Sequence, residues 1–334
     1  MNSTVNFRNS SERISRGLRV MFRTMRPRRD DLVLPEIHRT ARGYEYHVYY
    51  PRGKSIRTLV LVYGMTIAGE NDRRLLKLAH SCANAGLKVI VPHLPGLMDY
   101  RVSRNDLHRL IEIVSLLVQK SHEKIGLIGF STGGSYSLLL AGQPALREKI
   151  GPVVLFSPIY DARDVAKRLH TIPNPPPQTP KAWDQFYWTQ YVIAFRNRKH
   201  LELSEAVQGA LQILLADWED YDLEVKRVFY ENHIVPFRLF KRTDLLDEGA
   251  AFEQLSARGQ LATIKSPVFI LHDAADQIVP SDHSRRMYAE LALRGAEFHQ
   301  ELLVTPWLSH VMLQNTGNLS ELTKIVSFTA ELFR

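Results

Sequence analysis

The sequence predicts an α/β protein: a doubly wound, mostly parallel sheet carrying an inserted helical segment. Three observations predict it. Short apolar runs alternate with stretches of helical periodicity between residues 58 and 156. The alternation lapses over residues 161–262 and resumes at Pro267. Finally, the apolar run Ile125–Phe130 leads directly into Gly-Phe-Ser-Thr-Gly at 129–133 and then an apolar-rich stretch, Tyr136–Ala141. That is the strand–turn–helix setting in which G-x-S-x-G marks a nucleophile elbow.

The elements follow in order. Residues 1–30 carry eight arginines against Glu12 and Asp30. Within them Ile14, Leu18, Met21, Phe22 and Met25 recur at helical spacing, with Arg13, Arg16, Arg19, Arg23 and Arg26 between, which defines a basic amphipathic helix. Three roles fit it: peripheral contact with an anionic membrane through residues 13–26, an organelle transit sequence, or packing of the apolar stripe on the protein body. Residues 36–50 read as two strands, the second with Tyr44, Tyr46, Val48 and Tyr50 on one face. Thr58–Tyr63 is a buried strand ending at Gly64, a helix covers 72–85, and Gly86 stops it. Leu87–Val91 is the next strand, followed by an amphipathic helix over 105–121 and the elbow strand. The helix behind the elbow is expected to end near Pro144 or a turn beyond, and Val153–Phe156 forms another strand.

Residues 161–262 hold a proline cluster, Pro173–Pro180, and an aromatic block, Trp183–Trp188. A hundred residues without buried strands is too long for a loop, so a helical insertion is expected. Afterwards come a strand at Pro267–Leu271, a helix at Asp282–Leu293, a strand at Phe298–Val304 and a helix at Leu319–Phe333. The expected division is a tail at 1–30, a core at 31–160 and 263–334, and a cap at 161–262.

Composition narrows the function classes. The net charge of +8 is local: residues 1–30 supply six of these charges, leaving two for the other 304 residues. The body therefore has no electrostatic footprint for nucleic acid, and no nucleic-acid-binding motif occurs. No run of eighteen apolar residues is present. The one cysteine, Cys82, excludes an intrachain disulfide framework and fits a reducing, cytoplasmic compartment, with membrane association through the basic helix left open. Cys82 itself is expected as a small buried side chain. No zinc-ligand spacing appears, and the reading calls for neither metal nor cofactor.

In the elbow, a side chain at Gly129 or Gly133 would collide with the neighbouring strand or helix. Ser131 is expected in a strained conformation with its hydroxyl thrust out at the strand end. A base and an acid must then come from elsewhere. Leu-His-Asp-Ala-Ala-Asp-Gln-Ile-Val-Pro at 271–280 and Leu-Ser-His-Val at 308–311 supply them in the order Ser, Asp, His. With these three motifs the chain resembles the α/β-hydrolase family from about residue 36 to its end. The resemblance implies a mostly parallel, eight-stranded-type sheet with a helical cap inserted after Phe156. It implies Ser131 as nucleophile, His310 as base and Asp276 as the acid of the family's D-x-x-V-P pattern. It also implies an oxyanion hole from the backbone N–H groups of Thr132 and Met65, the latter in a Tyr63-Gly64 turn where the family commonly has His-Gly.

Other residues compete for these roles. Asp273 stands too early, at the strand terminus, and Asp161 follows the preceding strand, where some relatives keep their acid. Tyr63, His93 and His272 are candidates for lining the pocket, with ordinary loop or turn positions as the alternative for the two histidines. His283 belongs to a helix start. The reading is a serine hydrolase of the carboxylic-ester class acting on a small-molecule ester or thioester, with a weak preference for a hydrophobic acyl group. Two alternatives stand beside it: acyl transfer or C–C bond hydrolysis with the same triad, and a non-catalytic hydrolase-fold binding protein.

Overall fold

In the computed structural model, which describes residues 2–25, 32–169, 176–239, 255–313 and 319–333, the apolar runs pair into one eight-stranded sheet. Its strands are β1 (Glu36–Arg39), β2 (Glu45–Tyr49), β3 (Arg57–Val62), β4 (Leu87–Pro92), β5 (Ile125–Phe130), β6 (Ile150–Phe156), β7 (Val268–Asp273) and β8 (Gln300–Thr305). Their spatial order is β1-β2-β4-β3-β5-β6-β7-β8. β2 is antiparallel to β1 and β4, and all other neighbours are parallel. In β3, Leu59, Val60, Leu61 and Val62 are all fully buried. A strand covered on both faces has no use for polar alternation. Each such side chain contributes about 1.5–3 kcal/mol through burial.

The helices, in chain order, begin with α1 (Asn2–Met25), α2 (Arg73–Asn84), α3 (Pro95–Met98), α4 (Arg104–Lys120) and α5 (Thr132–Ala141). Between β6 and β7 lie α6 (Ala162–Leu169), α7 (Pro180–Arg196), α8 (Glu205–Ala216) and α9 (Leu223–Phe229). α10 (Asp282–Ala292) joins β7 to β8, and α11 (Leu319–Glu331) follows. Every residue of α5 is buried, as expected for the helix behind the central strand. α5 stops at Ala141, earlier than the sequence suggests, and Gly142 closes it with its N–H on the Leu138 carbonyl. α3 is a single turn, too short to leave a periodic trace.

α1 is longer than its apolar spacing implies; Arg26 lies outside the described residues. Val20 and Met21 are buried, and the helix packs on α2 and α11. A Cβ on Gly17 would fall 2.9 Å from the Val326 carbonyl oxygen, so glycine is what lets α1 approach α11 closely. Arg16 donates from Nη1 to the Ala85 carbonyl oxygen at 2.9 Å, placing a cation at the C-terminus of α2. Among the described residues no helix is long and apolar enough to cross a membrane.

Between β6 and β7, α7 and α8 share an apolar cluster around Tyr191, Ile193, Leu211 and Leu215, into which Tyr100 reaches, whereas Ala162 and Val165 of α6 belong to the main core. Most of the aromatic block is consumed here: Trp183 stacks on Tyr187, and Phe186 and Tyr187 meet Tyr230. Residues 170–175, with Pro173 and Pro175 of the proline cluster, and residues 240–254 of the insertion lie outside the described residues. Cys82 is fully buried, and burial pushes its thiol up to about 12.

Candidate active site

Ser131 sits between the end of β5 and the first residue of α5 with φ +50° and ψ −118°. An L-residue pays for that conformation, and the neighbourhood leaves it no alternative. Its N–H donates to the Phe156 carbonyl oxygen at 2.8 Å. A Cβ on Gly129 would lie 2.6 Å from the Gly134 Cα, and one on Gly133 would run into the carbonyl oxygens of Val62 and Tyr63. The glycine spacing is thus steric: the chain reverses in a gap with no room for side chains. Thr132, as first helical residue, has an N–H without an intrahelical acceptor. Nearby, a Cβ on Gly64 would fall 3.1 Å from the Ser131 Cβ, so the turn after β3 lies directly against the elbow. There the Thr66 N–H is taken by the Leu97 carbonyl at 3.3 Å, whereas the Met65 N–H finds no acceptor among the described residues.

His310 stands in the turn between two short strands, β9 (Leu308–Ser309) and β10 (Met312–Leu313), with φ +52°. Its Nδ1 lies 2.6 Å from Asp276 Oδ2. A carboxylate only accepts, so Nδ1 carries the proton and Nε2 is the basic nitrogen. The other oxygen of Asp276 accepts the N–H groups of Ile278 and Val279, both at 2.9 Å. Burial alone would raise the Asp276 carboxyl; the charge and hydrogen bond of His310 outweigh it and hold the group below the ordinary carboxylate range. Ser131 and His310 line one cavity of about 570 Å³. No hydrogen bond joins the Ser131 hydroxyl to the imidazole in this structure; without substrate such contacts are commonly long.

Two residues with no role in the expected triad hold the His310 backbone. Its N–H donates to Asp273 Oδ2 at 2.8 Å, and its carbonyl oxygen accepts from Ser157 Oγ at 2.6 Å. Ser157 itself has φ +42°. Three non-glycine residues at positive φ therefore converge at this rim. Asp273 is fully buried, and its position at the end of β7 was the only sequence signal for it.

The remaining candidates fall into different places. Tyr63 does line the cavity, but its hydroxyl points elsewhere, accepting from the Leu94 N–H at 2.7 Å. His93 is a correction: it lies outside the Ser131 cavity, in a separate surface recess with Pro95 and Met98. Its Nδ1 is 3.0 Å from both Glu70 oxygens, and this hydrogen bond raises the imidazole's titration. His272 is also a correction. It is fully buried behind the acid, with Nδ1 2.6 Å from Ser284 Oγ and Nε2 2.7 Å from the Val279 carbonyl oxygen. Its hydrogen bonds tie β7 to the acid loop and α10, so it does not line the cavity. Asp161 pairs with Arg258 at 3.0 Å and accepts the Arg163 N–H, which occupies it away from His310. Among the described residues no group of His, Cys, Asp and Glu could hold a metal ion.

His283, the second residue of α10, yields a pH prediction. It is buried and its Nδ1 accepts the Tyr160 N–H at 3.3 Å, so it must be neutral. Burial pushes its titration down to about 4. The folded state then binds fewer protons than the unfolded one, so stability is present above the ordinary imidazole value and is lost as pH falls toward 4. This group alone should cost about 3 kcal/mol between pH 7 and pH 4. Urea unfolding at both pH values should show that loss shrinking in His283→Gln.

Comparison with known proteins bears on the fold. No protein-family model and no curated protein sequence matches the chain. Among solved structures it is similar to Candida antarctica lipase A in its closed state, with 15% identity, 80% of this chain and 70% of that chain covered, and a TM-score of 0.51. It also matches a Pyrococcus furiosus esterase (14% identity, 83% of each chain, TM-score 0.47) and the Pyrococcus horikoshii acylaminoacyl peptidase (14% identity, 81% of this chain, TM-score 0.44). The chain spans only 37% of the length of that peptidase. With the strand order, the elbow and the lipase likeness together, the protein has the α/β-hydrolase fold.

Proposed function

We propose that the protein is a serine hydrolase that cleaves a carboxylic ester or thioester through an acyl-enzyme on Ser131. The reading is carried by one observation: an Asp276–His310 hydrogen bond of 2.6 Å on the same cavity as a serine at a strained elbow. His310 Nε2 takes the proton of Ser131 Oγ as that oxygen attacks the substrate carbonyl carbon. Asp276 keeps the imidazole in the required tautomer and stabilises it as a cation. The N–H groups of Thr132 and Met65 receive the oxyanion; each such donor is worth about 2.7–4 kcal/mol of barrier. His310 returns the proton to the departing alcohol or thiol. Water, deprotonated by the same imidazole, then attacks the acyl carbon and frees Ser131.

The cavity walls support an apolar acyl group: Phe130 and Phe156 stack beside Ser131, and Trp188, Val192 and Ile159 face the same space. A fluorophosphonate probe tests the chemistry. Folded protein is expected to be labelled at Ser131, as read by peptide mass spectrometry, and to hydrolyse p-nitrophenyl esters. Folded protein that stays unlabelled would refute the reading.

A further inference from the structure

The cap reaches into the rim of the site at one point. Lys181, in the first turn of α7, donates from Nζ to Asp273 Oδ1 at 2.8 Å and to the Leu308 carbonyl oxygen at 3.0 Å. Its distance to Asp273 Oδ2 is also 2.8 Å. Asp273 is the carboxylate that accepts the His310 N–H, so the chain of contacts runs from cap lysine to buried carboxylate to the backbone of the base. One turn further along α7, Gln185 Oε1 accepts the Gln277 N–H at 2.8 Å, next to Asp276. One face of a cap helix thus holds both the loop of the acid and the loop of the base.

The electrostatics give Lys181 a specific task. Asp273 has no exposed surface, and a buried carboxylate is tolerated only when paired and hydrogen-bonded. Its other partners are N–H groups of Ala275 and His310, which are neutral donors. Among the ion pairs of the described residues, Lys181 supplies its cation. His310, meanwhile, sits at φ +52°, a conformation that must be held from outside. Ser157 holds its carbonyl and Asp273 its N–H.

We infer that Lys181 is a positioning residue: seated on Asp273, it fixes the backbone of His310 and makes a competent base depend on a docked cap. This rests on the serine-hydrolase reading, and the two can fail separately. Wild-type protein that a fluorophosphonate does not label would end the parent reading; labelled wild type with an unaffected Lys181 variant would end this one alone.

The test compares Lys181→Met, Lys181→Arg, Asp273→Asn and the Lys181→Met/Asp273→Asn double variant on a p-nitrophenyl ester that wild type turns over. Rates are normalised to fluorophosphonate-titratable sites, so unfolded molecules do not count. Lys181→Met is expected to lose about 10- to 100-fold in kcat with KM within about twofold, the signature of a misplaced catalytic group. Lys181→Arg should recover most of that loss. The double variant should be no slower than the slower single variant, within about threefold, because both act through one network. Should the methionine variant not fold, Lys181→Gln takes its place, with the same expectation. The inference is overturned if the uncharged variant keeps kcat within twofold of wild type, if the loss lies in KM alone, if arginine does no better than methionine, or if the double variant's losses simply multiply.

Discussion

Replacing Ser131 by alanine is expected to lower ester turnover by about 10⁴- to 10⁶-fold, the range seen when a triad nucleophile is removed. The fold should not register the change, since the Ser131 hydroxyl makes no hydrogen bond among the described residues and only its backbone is engaged, the N–H on the Phe156 carbonyl oxygen and the carbonyl oxygen accepting the Gly134 N–H. Thermal or urea unfolding should move by no more than about 0.5 kcal/mol. Ser131→Gly sharpens the point. The position holds φ +50°, which glycine adopts without the penalty an L-residue carries. That variant should be equally inactive yet more stable, by about 1 kcal/mol. A serine kept where glycine would be more stable is a residue kept for its oxygen. Retention of more than a hundredth of wild-type turnover in either variant would remove Ser131 from the mechanism.

The parts of this molecule that were legible in the sequence are those enforced by close packing. The elbow could be read because Gly129 and Gly133 occupy gaps with no room for a Cβ. The central strands could be read because burial on both faces removes polar residues from Leu59–Val62 and from most of Ile125–Phe130. Other features left no local trace. Strands β9 and β10 have two residues each, too few for any period, so the turn that carries His310 was visible only through its motif. Asp273 and Asp276 are three residues apart with the same side chain. One grips the backbone of His310 and the other its imidazole, a division that depends on where a loop of another element comes to rest. Lys181 is 92 residues from its partner. His93 and His272 share the strand-end positions of pocket residues, yet one faces a separate recess and the other points into the core. The basic helix shows a further limit: its stripe of apolar residues is written alike for a membrane and for a protein face, and Val20 and Met21 are buried on the protein's own helices.

Asp276→Asn separates orientation from charge at the triad. Asparagine is nearly isosteric and can still present an oxygen to the N–H groups of Ile278 and Val279, so the loop should keep its course. What changes is the atom facing His310: an amide NH₂ donates where the carboxylate accepted. Nδ1 must then accept, the imidazole proton moves to Nε2, and the nitrogen proposed to take the Ser131 proton can no longer do so. A loss of about 10⁴-fold in kcat is expected, with a residual rate still about 10³-fold or more above water, because the substitution leaves the proposed Thr132 and Met65 oxyanion donors untouched. Asp273→Asn should behave differently. It leaves the tautomer of His310 intact and weakens only the hold on its backbone, so its loss should stay near the 10- to 100-fold expected for Lys181→Met. Asp161→Asn, removed from the base and engaged with Arg258, should remain within a few-fold of wild type. Steady-state kinetics on the three variants, each checked for folding by near-ultraviolet circular dichroism, ranks the carboxylates. A dead Asp161→Asn beside an active Asp276→Asn would transfer the acid's role to the end of β6. The present geometry opposes that outcome, because it is Asp276, with two N–H groups on one oxygen, that keeps the other aimed at His310 Nδ1 at 2.6 Å.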